Sequence, residues 1–127
     1  MLERIGRYQL ISRIGAGGQA TVYLAQDTLL QRNVAIKVMT QLASSNDEYT
    51  SVVLEEARLA SSLNHRNIAS VYDFLVDQDY VCIVMELVNG SVDRQLSQNG
   101  SYSVNKALDI FRQIAEGLGH AHSSGFV

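Results

Sequence analysis

The stretch of sequence that decides the fold is IGAGGQATVYLAQDTLLQRNVAIK, which runs from Ile14 to Lys37. Its first five residues include three glycines, which are Gly15, Gly17 and Gly18. Glycine tolerates positive φ angles and leaves room for a ligand near the main chain, so a glycine-rich turn can direct its N–H groups at phosphate oxygens. The residues after the turn and the run at 34–38 have the composition and alternation of β-strands. The stretch therefore predicts a strand, a glycine-rich turn, a second strand, a short loop and a third strand.

The third strand of this stretch carries a single lysine. Side chains alternate between the two faces of a strand, so Lys37 shares a face with Ala35. The opposite face is covered by Val34, Ile36 and Val38. One ammonium group beside a small apolar side chain suits a pocket for a flat ring that carries phosphates.

Two motifs in this stretch resemble motifs of the protein kinase family. Residues 14–22 (IGAGGQATV) are similar to the glycine-rich loop of the family, G-x-G-x-x-G-x-V, with Ala20 at the position of the third glycine. Residues 34–37 (VAIK) match the V-A-I-K motif of the family without change. Alanine at the third glycine position adds one methyl group, which such a loop tolerates.

This resemblance implies a binding site for ATP. In the family, the glycine-rich loop covers the phosphates and the lysine reaches the α- and β-phosphates. The resemblance thus implies that Lys37 contacts the phosphates and that Val22 and Ala35 enclose the adenine ring. The loop residues that it places over the nucleotide are Ile14, Gly15, Ala16, Gly17 and Gly18.

Other glycine-rich nucleotide motifs fit the sequence less well. A dinucleotide-binding fingerprint is followed by a helix and by an acidic residue about twenty positions later, and a P-loop ends in Gly-Lys-Ser or Gly-Lys-Thr. Here a β-patterned segment follows the glycines, and no Gly-Lys-Ser/Thr sequence occurs. A glycine cluster alone is often only a flexible turn, but the lysine motif at this distance favours nucleotide binding.

The composition is that of an ordinary globular protein. The chain has 127 residues, of which 46% are hydrophobic and 18% charged, and such a length usually forms one domain. Its net charge of −3 gives no basic surface for nucleic acid or anionic membrane, and no apolar run approaches the length of about 18 residues that marks a membrane-spanning helix. The single cysteine, Cys82, cannot form an internal disulfide, so we expect a buried thiol and a cytoplasmic location.

A helix is predicted from Glu48 to Leu63. It follows a polar connector at 41–47, in which Asn46 or Asp47 can cap the first turn. The apolar residues of the helix recur at spacings of three and four, and they are Val52, Val53, Leu59, Ala60 and Leu63.

Glu56 lies within this apolar stripe, whereas Glu55 is turned about 100° toward solvent. An acid on a buried face needs a cation, and the kinase resemblance implies that Glu56 pairs with Lys37. The residues alone leave a second interpretation open, in which Glu56 lies at the edge of the stripe and its carboxylate reaches water.

Two more strands are predicted at 71–76 and 80–85, around a turn at 77–79. With the first three strands they predict an α+β fold, a kinase-like small lobe with a five-stranded antiparallel sheet and one helix. Residues 85–90 resemble the hinge of the family, which implies that Met85 lies behind the adenine and that main-chain groups of Glu86 and Val88 bind the edge of the ring.

The last part of the chain predicts two helices, a short one within 90–98 and a long one from Val104 to about Ser123 with a strong apolar stripe. Ser103 can cap the long helix. His120 and His122 are two residues apart and are poor partners for one metal ion, and no metal site is predicted. We therefore expect a small lobe at 1–85, a hinge at 86–90 and a partial, truncated large lobe at 91–127.

The resemblance is to bacterial-type serine/threonine protein kinases, and it covers the N-terminal part of the catalytic domain. It implies the ATP-binding portion of a transferase that phosphorylates protein hydroxyl groups with Mg²⁺. The H-R-D and D-F-G motifs, which supply the catalytic aspartate and the metal ligands in the family, do not occur in the 127 residues. We therefore expect this polypeptide to be inactive alone; the alternatives are a catalytically dead nucleotide-binding regulatory module and a protein-interaction fragment.

Overall fold

A computed structural model describes residues 3–42, 47–77 and 80–126 of the chain. Six strands and three helices lie within these residues. The strands are β1 (Arg4–Ile5), β2 (Tyr8–Ala16), β3 (Ala20–Asp27), β4 (Arg32–Leu42), β5 (Val71–Asp77) and β6 (Tyr80–Met85). The helices are α1 (Asp47–Ser61), α2 (Val92–Asn99) and α3 (Val104–Ser123).

The described residues divide into two compact units. The first comprises those within Met1–Ser62 and Ser70–Leu87, and it contains the sheet and α1. The second comprises those within Leu63–Ala69 and Val88–Val127, and it contains α2 and α3. The division into lobes and hinge at 1–85, 86–90 and 91–127 stays a prediction.

The sheet of the first unit is antiparallel throughout and has the strand order β1-β2-β3-β4-β6-β5. Its five longer strands confirm the prediction. The two-residue strand β1 was not predicted, and it forms where Ile5 becomes almost fully buried. Strand β4 continues to Leu42, into the polar connector predicted at 41–47. The predicted cap at Asn46 and turn residues 78 and 79 lie outside the described residues.

The two faces of the sheet carry separate apolar clusters. The first contains alternate residues of the central strands and the N-terminal residues Ile5 and Tyr8. The second lies on the face that α1 covers, and its helix residues are Val53 and Ala57. Cys82 belongs to the first cluster, and burial raises the pKa of its thiol to about 12.

Hydrogen bonds join the N-terminal edge of the sheet to strand β5 at the opposite edge. The main-chain N–H of Gly6 donates to the carboxylate of Asp77 over 2.6 Å, and the Tyr8 hydroxyl donates to Asp73 over 3.1 Å. Gly6 has a φ of +54°, which a residue with a Cβ rarely adopts. The curled sheet thus brings its two edges together.

The turn between β3 and β4 is organised by Asp27, whose side chain is 1% exposed. Its carboxylate accepts two hydrogen bonds of 3.0 Å from the guanidinium of Arg7. It also accepts the main-chain N–H groups of Leu29 and Leu30, each over 3.0 Å. Burial alone would raise the pKa of Asp27, but the hydrogen bonds from Leu30, Arg7 and Leu29 together hold this pKa below its ordinary value.

The Asp27→Asn variant removes this charge while keeping one oxygen for the turn. We expect it to be less stable than the unchanged chain at neutral pH, with the difference shrinking in acid. The folded pKa lies below the ordinary value of about 3.9, so the carboxylate stabilises the fold above that value and loses this effect as the pH falls through the folded pKa. Urea midpoints measured from neutral pH to about pH 2.5 check this. Asp93→Asn, at an exposed position of α2, serves as the control; parallel pH curves for the unchanged chain and Asp27→Asn would contradict it.

Helix α1 packs against β5 and β6 through Val53 and Ala57, which are 5% and 3% exposed. The prediction that Glu56 lies on the buried face is wrong, because its side chain is exposed. Val52 and Glu56 each come one residue before a buried residue, Val53 and Ala57. One residue is a rotation of about 100° around the helix, so the row of Val52, Glu56 and Leu59 is turned to one side of the buried row. Glu56 therefore lies on the flank of the helix, which corresponds to the second interpretation above.

In the second unit, both helices begin at serine caps. Ser91 accepts the main-chain N–H of Arg94 over 3.0 Å, and Ser103 accepts that of Lys106 over 3.2 Å. The predicted cap at Ser103 is thus confirmed.

The segment 63–69 packs against α3 in this unit. The Asn67 side chain donates to the carbonyl oxygen of Gln113 over 3.0 Å, and Arg66 lies 3.6 Å from Glu116. The rings of His65 and His120 lie 4.9 Å apart. Segment 63–69 thus comes close to α3 beside Gly117, the one buried residue of this helix.

The apolar stripe of α3 is largely exposed. Its five large side chains are between 52% and 75% exposed, and they are Val104, Leu108, Phe111, Ile114 and Leu118. Among the described residues, no helix combines the length and the apolar character that a membrane span requires.

Candidate functional site

The glycine-rich turn joins β2 to β3 and is closed by a hydrogen bond from the Gly17 N–H to the Ala20 carbonyl oxygen, over 2.9 Å. The φ angles of Gly15, Gly17 and Gly18 lie outside the left-handed region, so positive φ is not the reason for glycine here. Gly17 and Gly18 are exposed, and a Cβ added at Gly18 would meet no atom within 4 Å. The turn leaves its main chain accessible to a ligand.

The register of the sheet places the predicted nucleotide-binding side chains on one face. Lys37 pairs with Val22 on β3, and Ala35 pairs with Met85 on β6. Directly paired residues project to the same face of a sheet, and residues 35 and 37 share a face because they are two positions apart. The opposite face of β4 contributes Val34, Ile36 and Val38 to the first apolar cluster.

A cavity of about 410 Å³ lies between the glycine-rich turn, β4 and α1. It is lined by three of the predicted site residues, Gly18, Lys37 and Glu56. The other lining residues are Gln19, Met39, Tyr49, Val52 and Val53. The cavity thus combines an ammonium group, a carboxylate and an accessible main-chain turn.

Lys37 and Glu56 line the same cavity, but the described ion pairs do not include a pair between them. The neighbouring Glu55 lies 3.7 Å from Arg58 on the surface of α1 and does not line the cavity. Of the two adjacent acids, Glu56 is therefore the one that shares the cavity with Lys37.

At the end of β6, Glu86 forms two hydrogen bonds with Ser70. Its main-chain N–H donates to the Ser70 carbonyl oxygen over 2.8 Å, and its carboxylate accepts the Ser70 N–H over 3.1 Å. Because its N–H is already used, the main-chain group of Glu86 that remains for a ligand is the carbonyl oxygen. Val88 is 60% exposed and belongs to the second unit.

The remaining predicted residues lie on β2 and its turn. Ile14 is 45% exposed, and the cross-strand partners of Gly15 and Ala16 are Val22 and Thr21. The cavity is not lined by Ile14, Gly15, Ala16 or Gly17. The structure brings together the turn tip, the lysine and the glutamate at one cavity, and it places Val22 and Ala35, which are predicted to hold the adenine, on the same face of the sheet as Lys37.

Sequence reasoning did not assign five residues of the cavity wall to the site, and they are Gln19, Met39, Tyr49, Val52 and Val53. Met39 follows Lys37 by two positions and so shares its face, and Gln19 lies between the last glycine and Ala20. Tyr49 precedes Glu56 by seven residues, which is about two helical turns. Tyr49 therefore extends the row of Val52 and Glu56 toward the start of α1, a spacing that is visible in the sequence.

The charges and space of the site fit a phosphate-bearing nucleotide. Lys37 supplies a cation, the turn supplies accessible main chain, and the sheet face supplies apolar surface for a ring. Glu56 is the one acidic residue that lines the cavity. Among the described residues, no three or more His, Cys, Asp or Glu side chains cluster in a way that could hold a metal ion.

An antiparallel sheet with one packed helix, and with a lysine facing a cavity beneath a glycine-rich turn, is the architecture of a protein kinase domain. The crystal structure of the Mycobacterium tuberculosis PknI kinase domain matches 98% of this chain, with a TM-score of 0.81 and 24% identity, and the match covers 53% of that chain. The sequence model described as "Protein kinase domain" matches residues 8–127. The chain therefore belongs to the protein kinase family.

Two relatives with curated names are bacterial serine/threonine-protein kinases. The chain is 42% identical over 123 residues to the serine/threonine-protein kinase PrkC of Bacillus subtilis, which covers 96% of this chain and 19% of PrkC. It is 39% identical over 128 residues to PknA of Mycobacterium tuberculosis, which covers 96% of this chain and 30% of PknA. The resemblance to bacterial-type kinases is confirmed, and the chain spans less than a third of the length of these two relatives.

Proposed function

We propose that these residues form the ATP-binding part of a serine/threonine protein kinase. The observation that carries this proposal is the meeting of Gly18, Lys37 and Glu56 at one cavity, beside a sheet face that bears Val22 and Ala35. A lysine with an open glycine-rich turn on one side and a carboxylate on the other is suited to a phosphate chain.

Each end of the nucleotide has a proposed partner. The adenine ring lies against Val22 and Ala35 with Met85 behind it, and the carbonyl oxygen of Glu86 binds its edge. The phosphates lie under the glycine-rich turn and accept hydrogen bonds from Lys37. Glu56, which is unpaired with Lys37 in the structure, orients the lysine when the phosphates are bound.

The reaction of the whole domain is transfer of the γ-phosphoryl group of ATP to a serine or threonine hydroxyl of a protein in the cytoplasm. It requires a residue that positions the hydroxyl and ligands for Mg²⁺. The H-R-D and D-F-G motifs that provide these in the family do not occur among the 127 residues. The proposed role of this chain is therefore to bind ATP and orient its phosphates.

Titration of the 127-residue polypeptide with ATP, by calorimetry with and without Mg²⁺, tests this proposal. We expect saturable binding in both conditions, since the described residues offer the nucleotide a cation but no metal site. Incubation with radiolabelled ATP, Mg²⁺ and an acceptor protein is expected to transfer no phosphate. Absence of saturable ATP binding would contradict the binding site, and phosphate transfer would contradict the assignment of the catalytic groups.

A second candidate is a protein-interaction module that binds no nucleotide. The exposed apolar stripe of α3 favours it, because contiguous apolar surface of this kind is typical of contact sites. The ATP titration separates the two candidates.

A further inference from the structure

Tyr49 lies in the first turn of α1 and lines the cavity with Lys37 and Gly18. It shares a side of the helix with Glu56, because seven residues make about two helical turns. These two residues thus border the cavity at two levels of the same helix.

The Tyr49 side chain is half-buried and packs against the apolar cluster that contains Met39 and Val53. Met39 also lines the cavity, and it shares a face of β4 with Lys37, two positions away. The aromatic ring therefore packs at the junction of the helix that carries Glu56 and the strand that carries Lys37. A tyrosine side chain has few rotatable bonds, so a packed ring holds its neighbours at a fixed spacing.

We infer that Tyr49 is a positioning residue for the phosphate end of the nucleotide. Its ring fixes the start of α1 against β4 and so sets the width of the cavity at Lys37. This inference rests on the proposed function, since it assumes that the phosphates lie in this cavity. The residues proposed to hold the adenine, Val22 and Ala35, do not line the cavity, so the loss of the ring acts on phosphate binding and spares binding of the base.

Affinities of the full 127-residue chain for ATP and for adenosine test the inference. Tyr49→Ala is expected to weaken ATP binding about tenfold and to change adenosine binding less than about twofold, because only the phosphate end loses its alignment. Tyr49→Phe keeps the ring and is expected to retain most of the ATP affinity that Tyr49→Ala loses. Leu59→Ala, at a half-exposed position of the same helix outside the cavity, is the matched control and is expected to change neither affinity.

Three results would overturn the inference. They are unchanged ATP affinity in Tyr49→Ala, equal losses for ATP and adenosine, and a Tyr49→Phe variant as weak as Tyr49→Ala. If Tyr49→Ala does not fold, Tyr49→Leu retains apolar volume against Val53 and is expected to show the same selective loss. If Lys37→Met abolishes ATP binding and Tyr49→Ala does not weaken it, this inference alone is refuted. If the unchanged chain binds no ATP, the proposed function is refuted as well.

Discussion

Replacing Lys37 with methionine is expected to reduce ATP affinity by about 10- to 150-fold, because a hydrogen bond that involves a charged group contributes about 1.5–3 kcal/mol. Methionine keeps an unbranched side chain of similar length on the same face of β4, so the loss reports the ammonium group. Glu56 also lines the cavity and would be left without a compensating cation beside the phosphates. Calorimetric titration with ATP measures the change.

The chain provides a matched control for this experiment. Its only other lysine is Lys106, which is exposed in the first turn of α3. Lys106→Met makes the same chemical change and is expected to leave ATP affinity unaltered. Equal affinities for Lys37→Met and the unchanged chain would remove the phosphate contact from the proposal.

The second large effect is expected at Gly117, where leucine should destabilise the second unit by about 1–3 kcal/mol, as overpacking of a filled contact does. A Cβ at this position would lie 3.2 Å from the Asn67 carbonyl oxygen and 3.4 Å from the Asn67 Cβ. A leucine side chain therefore has to displace segment 63–69, together with the hydrogen bond from Asn67 to Gln113. Thermal unfolding followed by helical circular dichroism measures the stability.

Gly119→Leu is the control for this prediction. The position lies on the same helix, and a Cβ there would meet nothing within 4 Å. Leucine favours helix more than glycine by up to about 1 kcal/mol, so this variant is expected to be slightly stabilised. Amide exchange at 63–69 should accelerate only in Gly117→Leu; similar exchange in both variants would show that segment 63–69 does not depend on the contact at Gly117.

The strand assignments could be predicted because alternation is a local property. Residues 34–38 lie in a central strand between two apolar clusters. Alternation along the strand is therefore enough to place Lys37 and Ala35 on one face and the core side chains of Val34, Ile36 and Val38 on the other. The motifs around the glycines and the lysine then identified the family. Strand β1 is too short to show a pattern, and its place depends on the burial of Ile5 among distant residues.

The helix face was less predictable, because Val52 and Val53 are the same residue type and the sequence cannot show which one the sheet buries. Burial of Val53 and Ala57 against β5 and β6 decides the rotation of α1 and leaves Glu56 on the flank. The contact between His65 and His120 could not be predicted either, because it joins residues that are far apart in the chain. What the sequence could not supply in each case was the shape of the surface across from the residue.

The burial of Cys82 has a chemical consequence for work with this protein. Alkylating reagents and oxidants react with thiolates, and a pKa of about 12 keeps this sulfur protonated at neutral pH while it lies in the core. As the only cysteine of the chain, it reacts when strands β4, β5 and β6 separate. The rate at which Cys82 is chemically labelled therefore measures how often the sheet opens.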